Sequence, residues 1–556
     1  MDGPNSPINT PPFSAERYNH SVPNEQDPLR LISNDRPLEH PEDDRLGYAP
    51  FARHLAKALT ETLTLEGLVL GLYGDWGSGK STLINFLIKD LEKIDEKERP
   101  ILVRFNPWWY SGSSNLTSRF LLEFMYGLSG RTRVSDQVRE AIAGLADALG
   151  DVGIGGITLG AGKAVAGLVR PNHSAESLRE KVVRGLEELD RRILVIVDDV
   201  DRLHEQEILQ LFLAIKAIGN FPRTNYVLAM DKRVVVDALG RSGFGNGEEF
   251  LEKIVQVPLD LPDVDRSDLE KLLVEQLDRI FSDLPKHKFD TARWSWLFTQ
   301  GLRPLLKTPR QVVRLVNCLS IVYPVVRDEV NPVDLIGIEA LRLFFHPAYQ
   351  AVRRNPKKFL SGLIPAWSHS ESERQEERRF HERWLNEIPE SQREPASRLV
   401  TSLFPTTAAA LSSFSPYSVE DSQARRELRI CAPERFPVYF RLSVPAGELR
   451  AVEVAELVDD AREGRRFAEK LLRLSQDLNP DGTSRARAAL ESFGDLCEGP
   501  LPDEVVFGGL EGLFEVGDQL VLLRDRKTEL FDLENDSRIE RCVTLLGGKV
   551  GADRYG

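Results

Sequence analysis

The stretch GLYGDWGSGKSTLINF, residues 71–86, decides the fold that this sequence predicts. The apolar run 68–73 leads into it and predicts a buried strand, while residues 82–91 carry apolar side chains at helical spacing. The glycines therefore lie on a turn from a strand into a helix, which is the context that the motif G-x-x-x-x-G-K-[ST] requires. The motif positions are Gly74, Gly79, Lys80 and Ser81.

A turn of this composition is suited to a chain of phosphates. Its glycines let several backbone N–H groups point inward, and the following helix adds the positive end of its dipole. We expect Lys80 to act on the β- and γ-phosphates as a catalytic residue, and Ser81 to ligate Mg²⁺. A plain glycine-rich turn is the alternative. The predicted nucleotide-binding residues are Gly74, Asp75, Trp76, Gly77, Ser78, Gly79, Lys80, Ser81 and Thr82.

A second element of such a site follows the apolar run 193–197, which predicts a central strand buried on both faces. Asp198 and Asp199 come directly after it, where open α/β sheets bind their ligands. We predict that Asp198 holds Mg²⁺, mainly through water. Asp199 is the predicted catalytic carboxylate that polarises the attacking water.

Four further residues near the predicted strand ends are open to more than one interpretation. Asp201 can cap the helix that begins near His204, which is the favoured role, or it can take part in catalysis. His204 is more simply a surface residue at the helix start than a general base. Trp108 and Trp109 follow a strand end, so one of them can line the nucleotide site, and packing in the core is the equal alternative.

Three further apolar runs predict strands at 101–105, 226–230 and 254–259. One strand lies between the phosphate loop and the Asp-Asp strand, as in the additional-strand class of P-loop NTPases. The predicted fold class is therefore α/β, with a parallel sheet flanked by helices and a mainly α-helical C-terminal region after it. No N-K-x-D motif follows, so the sequence favours ATP over GTP.

The composition limits the class of protein. The 556 residues are 41% hydrophobic and 28% charged, and the net charge of −14 disfavours generic attraction to nucleic acid. No basic-aromatic tract that could follow a nucleic-acid strand is found. The four cysteines lie far apart with no paired spacing, which favours a reducing compartment and a cytoplasmic location.

The chain divides into three predicted parts. Residues 1–30 are polar and proline-rich, which predicts a disordered leader. Residues 31–330 are the predicted NTPase domain, with a glycine-rich helical insert at about 130–180. Residues 331–556 have mostly helical spacing and predict an α-helical domain that binds a protein partner.

The core of the insert, residues 152–169, is the one candidate for a membrane contact. Its seven Leu, Ile or Val residues favour insertion by ~3 kcal/mol in total, and Lys163 near the centre opposes it by about as much. Six glycines then favour a soluble or peripheral insert, at most at the inner face of the membrane, over a true span.

The segment KTPRQVVRLVN, residues 307–317, predicts a helix capped by Thr308 with Pro309 first. Arg310 then lies in the first turn, where the helix dipole disfavours a cation by ~0.3–1 kcal/mol. Arg314 follows on the same face. This arrangement suggests a target of concentrated negative charge, which is either an acidic surface patch or the γ-phosphate of ATP, in this chain or across a subunit interface. On the second interpretation Arg310 is a catalytic residue.

Taken in order, several motifs resemble those of the KAP family of P-loop NTPases. They are DWGSGKS, RFNPWWYS, VIVDDVDRL, YVLAMDKRVV, GEEFLEKIVQVPLDLP and TPRQVVRLVN. The resemblance covers residues 33–317 well and the last third of the chain loosely. It implies ATP binding and hydrolysis, frequent membrane association and, in bacteria, a link to phage exclusion or other defence.

Two functions from different classes remain open. The first is an ATPase whose hydrolysis resets a conformational switch, with the chain acting in a homo-oligomer. The second is a nucleotide-gated scaffold with negligible turnover. Both use ATP and Mg²⁺ at the same loop.

Overall fold

The computed structural model describes most of the chain. The described residues are 36–61, 67–112, 115–129, 135–150, 173–242, 246–360, 371–408, 410–411, 421–445, 447–525 and 534–552. The predicted leader 1–30 and the insert core 152–169 lie outside them. Two compact units are present: the sheet unit, Asn34–Val274 with Phe298–Leu315, and the helical unit, which contains Glu275–Leu297 and Val316–Gly556. The domain limits drawn from the sequence stay a prediction.

The sheet unit is built on five parallel strands within the described residues, in the order β2-β3-β4-β1-β5. Strand β4 thus separates the strand of the glycine loop, β1, from the Asp-Asp strand, β3. The strands are β1 (Leu68–Tyr73), β2 (Ile101–Phe105), β3 (Ile193–Val197), β4 (Thr224–Met230) and β5 (Val257–Asp260). This sheet confirms the predicted α/β class with a parallel sheet.

Two strands have other limits than the sequence predicts. Strand β5 was predicted to begin at Ile254, but Ile254 and Val255 are buried in the hydrophobic core ahead of the strand. Strand β4 begins two residues early, because Thr224 and Asn225 already pair with β3.

Alternating strand residues give the sheet two covered faces. One face packs on α1 and α2, and the other packs on α3 to α8, so β3 is fully buried as its apolar run predicts. These helices are α1 (Tyr48–Glu61), α2 (Lys80–Glu92), α3 (Leu116–Ser129), α4 (Asp136–Gly150), α5 (His173–Glu187), α6 (Glu205–Ile218), α7 (Lys232–Arg241) and α8 (Gly247–Glu252).

The rest of the described chain is helical, which confirms the predicted α-helical C-terminal region. Helices α18 to α22 share one hydrophobic core. The helices are α9 (Arg266–Ile280), α10 (Thr291–Trp296), α11 (Pro309–Val326), α12 (Pro332–Phe344), α13 (His346–Arg354), α14 (Glu371–Asn386), α15 (Glu390–Leu403), α16 (Asp421–Arg426), α17 (Phe436–Arg441), α18 (Ala451–Asp460), α19 (Gly464–Gln476), α20 (Arg485–Cys497), α21 (Asp503–Leu520) and α22 (Asn535–Ala552). Within the described ranges, none of the helices combines the length and the apolar character that crossing a bilayer requires.

The packing of α6 on the sheet gives a first prediction. Phe212 on α6 is fully buried in the core of the sheet unit. Phe212→Ala should lower the free energy of unfolding of this unit by ~3–5 kcal/mol, because it removes a large buried side chain and leaves a cavity. Tyr126→Ala on α3 is the matched control, since that ring is 63% exposed. Denaturant titration of both variants tests this, and equal losses would contradict the assignment of the core.

Candidate functional site

The candidate site lies at the carboxyl ends of neighbouring parallel strands. The glycine loop follows β1, Asp198 and Asp199 follow β3, Asn106 follows β2, and Asp231 follows β4. Because these strands are adjacent and parallel, their ends meet at one edge of the sheet, which is where open α/β sheets bind ligands.

The glycine loop has a backbone conformation that residues with a side chain rarely adopt. Gly77 and Gly79 have φ angles of +82° and +110°. Close contacts add to this restriction, since a Cβ on Gly79 would lie 2.7 Å from the ring of Tyr48. A Cβ on Gly77 would lie 2.8 Å from the Cβ of Arg310. Gly77 and Gly79 are therefore required by both conformation and space.

Lys80 is the first residue of α2, and its side chain folds back over the loop. Its Nζ donates hydrogen bonds to the carbonyl oxygens of Gly74, at 2.7 Å, and Asp75, at 3.2 Å. The residue is only 8% exposed. The loop thus encloses an ammonium group beside the N-terminus of a 13-residue helix, and both features attract an anion.

Tyr48 is a contributor that the sequence reasoning missed. Its hydroxyl donates a hydrogen bond to the carbonyl of Ser78, and its buried ring packs against Gly79. Asp44 fixes the start of the helix that carries Tyr48, because its carboxylate accepts from the N–H groups of Leu46, Gly47 and Ala49 at 2.7–3.1 Å. The signal was present in the sequence as an acidic residue ahead of a helix, but the contact with the loop is tertiary.

The remaining loop positions face different surroundings. The hydroxyl of Ser78 is buried and has no hydrogen-bond partner within the described residues. The hydroxyl of Thr82 accepts from the N–H of Leu38 at 3.1 Å. The Asp75 carboxylate accepts from Arg233 Nη2 at 2.9 Å, in a pair that is mostly exposed.

Asp198 lies against the start of α2. Its carboxylate accepts hydrogen bonds from the Ser81 hydroxyl and, at 2.8 Å, from the N–H of Asp199. Burial and the neighbouring Asp199 raise the pKa of Asp198, while these hydrogen bonds and the charge of Lys80 oppose the rise. A hydroxyl and a carboxylate side by side are oxygen donors of the kind that Mg²⁺ prefers, so the two residues fit a divalent cation.

Asp199 is held in place by two partners. Its φ angle of +60° is unusual for a residue with a side chain, and it directs the chain away from β3. The side-chain amide of Asn106 donates to Asp199 Oδ2 at 3.0 Å, and Arg202 Nε lies 2.8 Å from Oδ1. The guanidinium of Arg202 in turn lies 5.2 Å from the ring centre of Trp108.

The turn that carries the two tryptophans is tied to the same region. Trp108 and Trp109 are 50% and 77% exposed, so packing of both in the core is ruled out. The Asn106 side chain accepts from the N–H of Trp108 at 3.1 Å. The loop just beyond is held by the buried Glu207, whose carboxylate accepts from the N–H of Gly112 at 2.6 Å.

The predicted capping role of Asp201 is wrong. His204 is the N-cap residue of α6, and its N–H donates to the side chain of Glu207 at 3.0 Å. Asp201 instead lies inside the short 3₁₀ turn Val200–Arg202, because the chain needs that turn to pass from β3 to α6. His204 is exposed at the helix start, as predicted.

Arg310 reaches the glycine loop from α11. Its guanidinium carbon lies 4.1 Å from the ring centre of Trp76, and its aliphatic part packs on Gly77. Helix α11 begins at Pro309 as predicted, with the side chain of Gln311 accepting from the N–H of Thr308 at 3.0 Å. All of these residues belong to the sheet unit. The sequence placed Arg310 on the right helix turn but did not identify Trp76 as its neighbour.

Comparison with known proteins identifies the family of this sequence. The sequence model of the KAP family P-loop domain matches residues 48–326. The phage T7 exclusion protein of Escherichia coli K12 is 24% identical over 344 residues, which are 56% of this chain and 46% of that protein. The chain thus spans about half the length of this relative.

Solved structures with some likeness include two archaeal proteins. The ORC2 protein of Aeropyrum pernix in its ADP form is 16% identical and covers 67% of this chain and 89% of its own, with a TM-score of 0.32. A Walker-type ATPase of Pyrococcus abyssi is 15% identical and covers 69% of this chain and 99% of its own, with a TM-score of 0.31. The family match covers half of the chain, and this chain belongs to the KAP family of P-loop NTPases.

Proposed function

We propose that this chain binds ATP with Mg²⁺ at the glycine loop and hydrolyses it, and that the cycle drives a conformational switch. The observation that carries the proposal is the position of Lys80, whose ammonium is enclosed by the loop carbonyls at the start of α2. A polyphosphate that enters the loop would meet this cation and the positive end of the helix dipole together.

The carboxylates after β3 would supply the chemistry. Ser81 and Asp198 would hold Mg²⁺, which neutralises charge on the phosphates when bound. Asp199 would accept a proton from the water that attacks the γ-phosphorus, which leaves ADP and inorganic phosphate as products. In the structure its carboxylate is held by Asn106 and Arg202, so it must at least partly leave these partners to act on water.

The same contacts favour the alternative function, a nucleotide-gated scaffold. A carboxylate whose two oxygens stay bound to Arg202 and Asn106 is not free to contact an attacking water molecule. Bound ATP would then fix one conformation and turnover would be negligible. Rates of phosphate release decide between these two functions.

We further propose that the chain acts in phage defence and through a protein partner. The support for a defence role is its similarity to a phage exclusion protein. The support for a partner surface is α21, which exposes Phe507 and Phe514 seven residues apart on one face, 58% and 74% accessible. The cytoplasmic location inferred from the cysteine pattern stays a prediction.

Replacement of the loop lysine tests nucleotide binding. Lys80→Ala should remove measurable ATP binding in a calorimetric titration, because it removes the cation that the loop carbonyls of Gly74 and Asp75 hold. Lys89→Ala is the control, since that lysine lies on the same helix but pairs with Glu92 at the surface. Unchanged ATP affinity in a folded Lys80→Ala protein would reject the site.

Replacement of Asp199 separates binding from chemistry. Asp199→Asn should still bind ATP but hydrolyse it roughly a hundredfold more slowly, because the water loses its polarising carboxylate. The substituted amide oxygen can still accept from Asn106, so the turn is expected to remain folded. Asp201→Asn is the control from the same turn. Normal hydrolysis by Asp199→Asn together with slow hydrolysis by Asp201→Asn would show that the wrong carboxylate was chosen.

Arg310 provides a test of γ-phosphate sensing. Arg310→Ala should bind ADP as before, lose its preference for ATP over ADP, and hydrolyse slowly. Arg314→Ala, one turn later and exposed, is the control. Because Arg310 packs on the loop of its own sheet unit, mixing Arg310→Ala with Lys80→Ala protein should not restore turnover. Restored turnover would place the arginine in a neighbouring subunit, and equal loss of ADP and ATP binding would leave it only a structural role.

A further inference from the structure

The core of the helical unit contains a charged cluster in which two arginines share one aspartate. Arg293, Arg429 and Asp334 are 3%, 0% and 0% exposed. Arg293 Nη2 donates to Asp334 Oδ1, and Arg429 Nε lies 3.5 Å from Asp334 Oδ2. Two guanidiniums beside one carboxylate leave a net charge of about +1 in a buried position, which is costly unless something compensates it.

Among the described residues, the ionisable groups that act on this cluster do not supply that compensation. Burial raises the pKa of the Cys431 thiol to about 11, and burial also raises the pKa of Tyr439 well above its ordinary value. Both groups are therefore neutral near pH 7. Asp290 also acts on Arg293, but it is exposed at the N-cap of α10, where its carboxylate accepts from backbone N–H groups.

Polar atoms of the same cluster also lack a partner within the described residues. They are Nη1 of Arg429, Nε of Arg293 and Oγ of Ser402, a residue that is 1% exposed. Nη2 of Arg429 donates to the backbone oxygen of Ser402 at 3.3 Å, so Nη1 of the same guanidinium and the Ser402 hydroxyl lie in one neighbourhood. Buried donors without an acceptor are rare in folded proteins. The two guanidinium nitrogens can only donate, and the Ser402 hydroxyl can donate as well, so the cluster favours an acceptor as its ligand.

We propose that this cluster binds a small monovalent anion of the chloride class, held by Nη1 of Arg429 and the hydroxyl of Ser402. The charge of Arg293 adds to the attraction. A water molecule would accept hydrogen bonds from the donors but would leave the positive charge uncompensated. A monovalent anion would accept these hydrogen bonds and also neutralise the charge. A multivalent oxyanion carries more negative charge and more acceptor oxygens than these groups match.

The anion would join four segments of the helical unit. Arg293 comes from α10, Asp334 from α12, Ser402 from α15, and Arg429 from the turn after α16. Binding to the folded state alone raises stability by mass action, so the helical unit should be more stable in chloride. This inference is independent of the nucleotide site and of the proposed hydrolysis.

Thermal unfolding of the full chain tests the proposal. The unfolding midpoint should rise in a saturable way when chloride replaces gluconate at fixed sodium and fixed ionic strength, and bromide should replace chloride. Ser402→Ala should raise the half-saturating chloride concentration roughly tenfold, because it removes one hydrogen bond to a charged ligand. Ser397→Ala on the same helix is the matched control, and it should keep the response of the original chain.

Arg429→Met should abolish the chloride response. If that variant does not fold, the comparison of Ser402→Ala with Ser397→Ala still tests the anion site. Equal midpoints in chloride and gluconate would overturn the proposal. So would a chloride response that Ser402→Ala leaves unchanged, which would place the anion elsewhere. Crystals grown in bromide should show anomalous density between Arg429 and Ser402, and density without an anomalous signal there would indicate water and overturn it as well.

Discussion

The hydrogen bonds from the Lys80 ammonium to the carbonyls of Gly74 and Asp75 are the interaction on which the candidate site depends. They hold a buried cation inside a loop whose glycines allow the required φ angles. Outside the loop, Tyr48 holds the carbonyl of Ser78. The loop is thus fixed from both sides, between a strand that is buried in a parallel sheet and the first turn of α2.

The second constraint is the order of the strands. Because β3 is separated from β1 by β4, the carboxylates after β3 lie one strand away from the loop, at the same edge of the sheet. The hydrogen bond between Ser81 and Asp198 joins the two halves. The Asp199 carboxylate contacts Asn106 and Arg202 instead, and the guanidinium of Arg202 lies over the exposed ring of Trp108.

The sequence predicted the features that local patterns determine. The limits of β1, β2 and β3 follow from runs of mostly apolar residues, and the loop follows from glycine spacing. The predicted start of β5 was wrong, because an apolar pair such as Ile254 and Val255 can be buried in the core without forming the hydrogen bonds of the sheet. Contacts such as Tyr48 with Ser78 or Asn106 with Asp199 join residues 30 and 93 positions apart, so no local pattern reports them.

The central claim is that this site turns over ATP rather than only binding it. The most direct measurement is a single-turnover assay, in which excess purified full-length protein is mixed with ATP labelled on the γ-phosphate. The proposed mechanism predicts release of labelled phosphate that requires Mg²⁺. No release is expected when a chelator of Mg²⁺ is added before the ATP. ATP that is bound with Mg²⁺ but recovered intact after prolonged incubation would contradict it and would favour the nucleotide-gated scaffold.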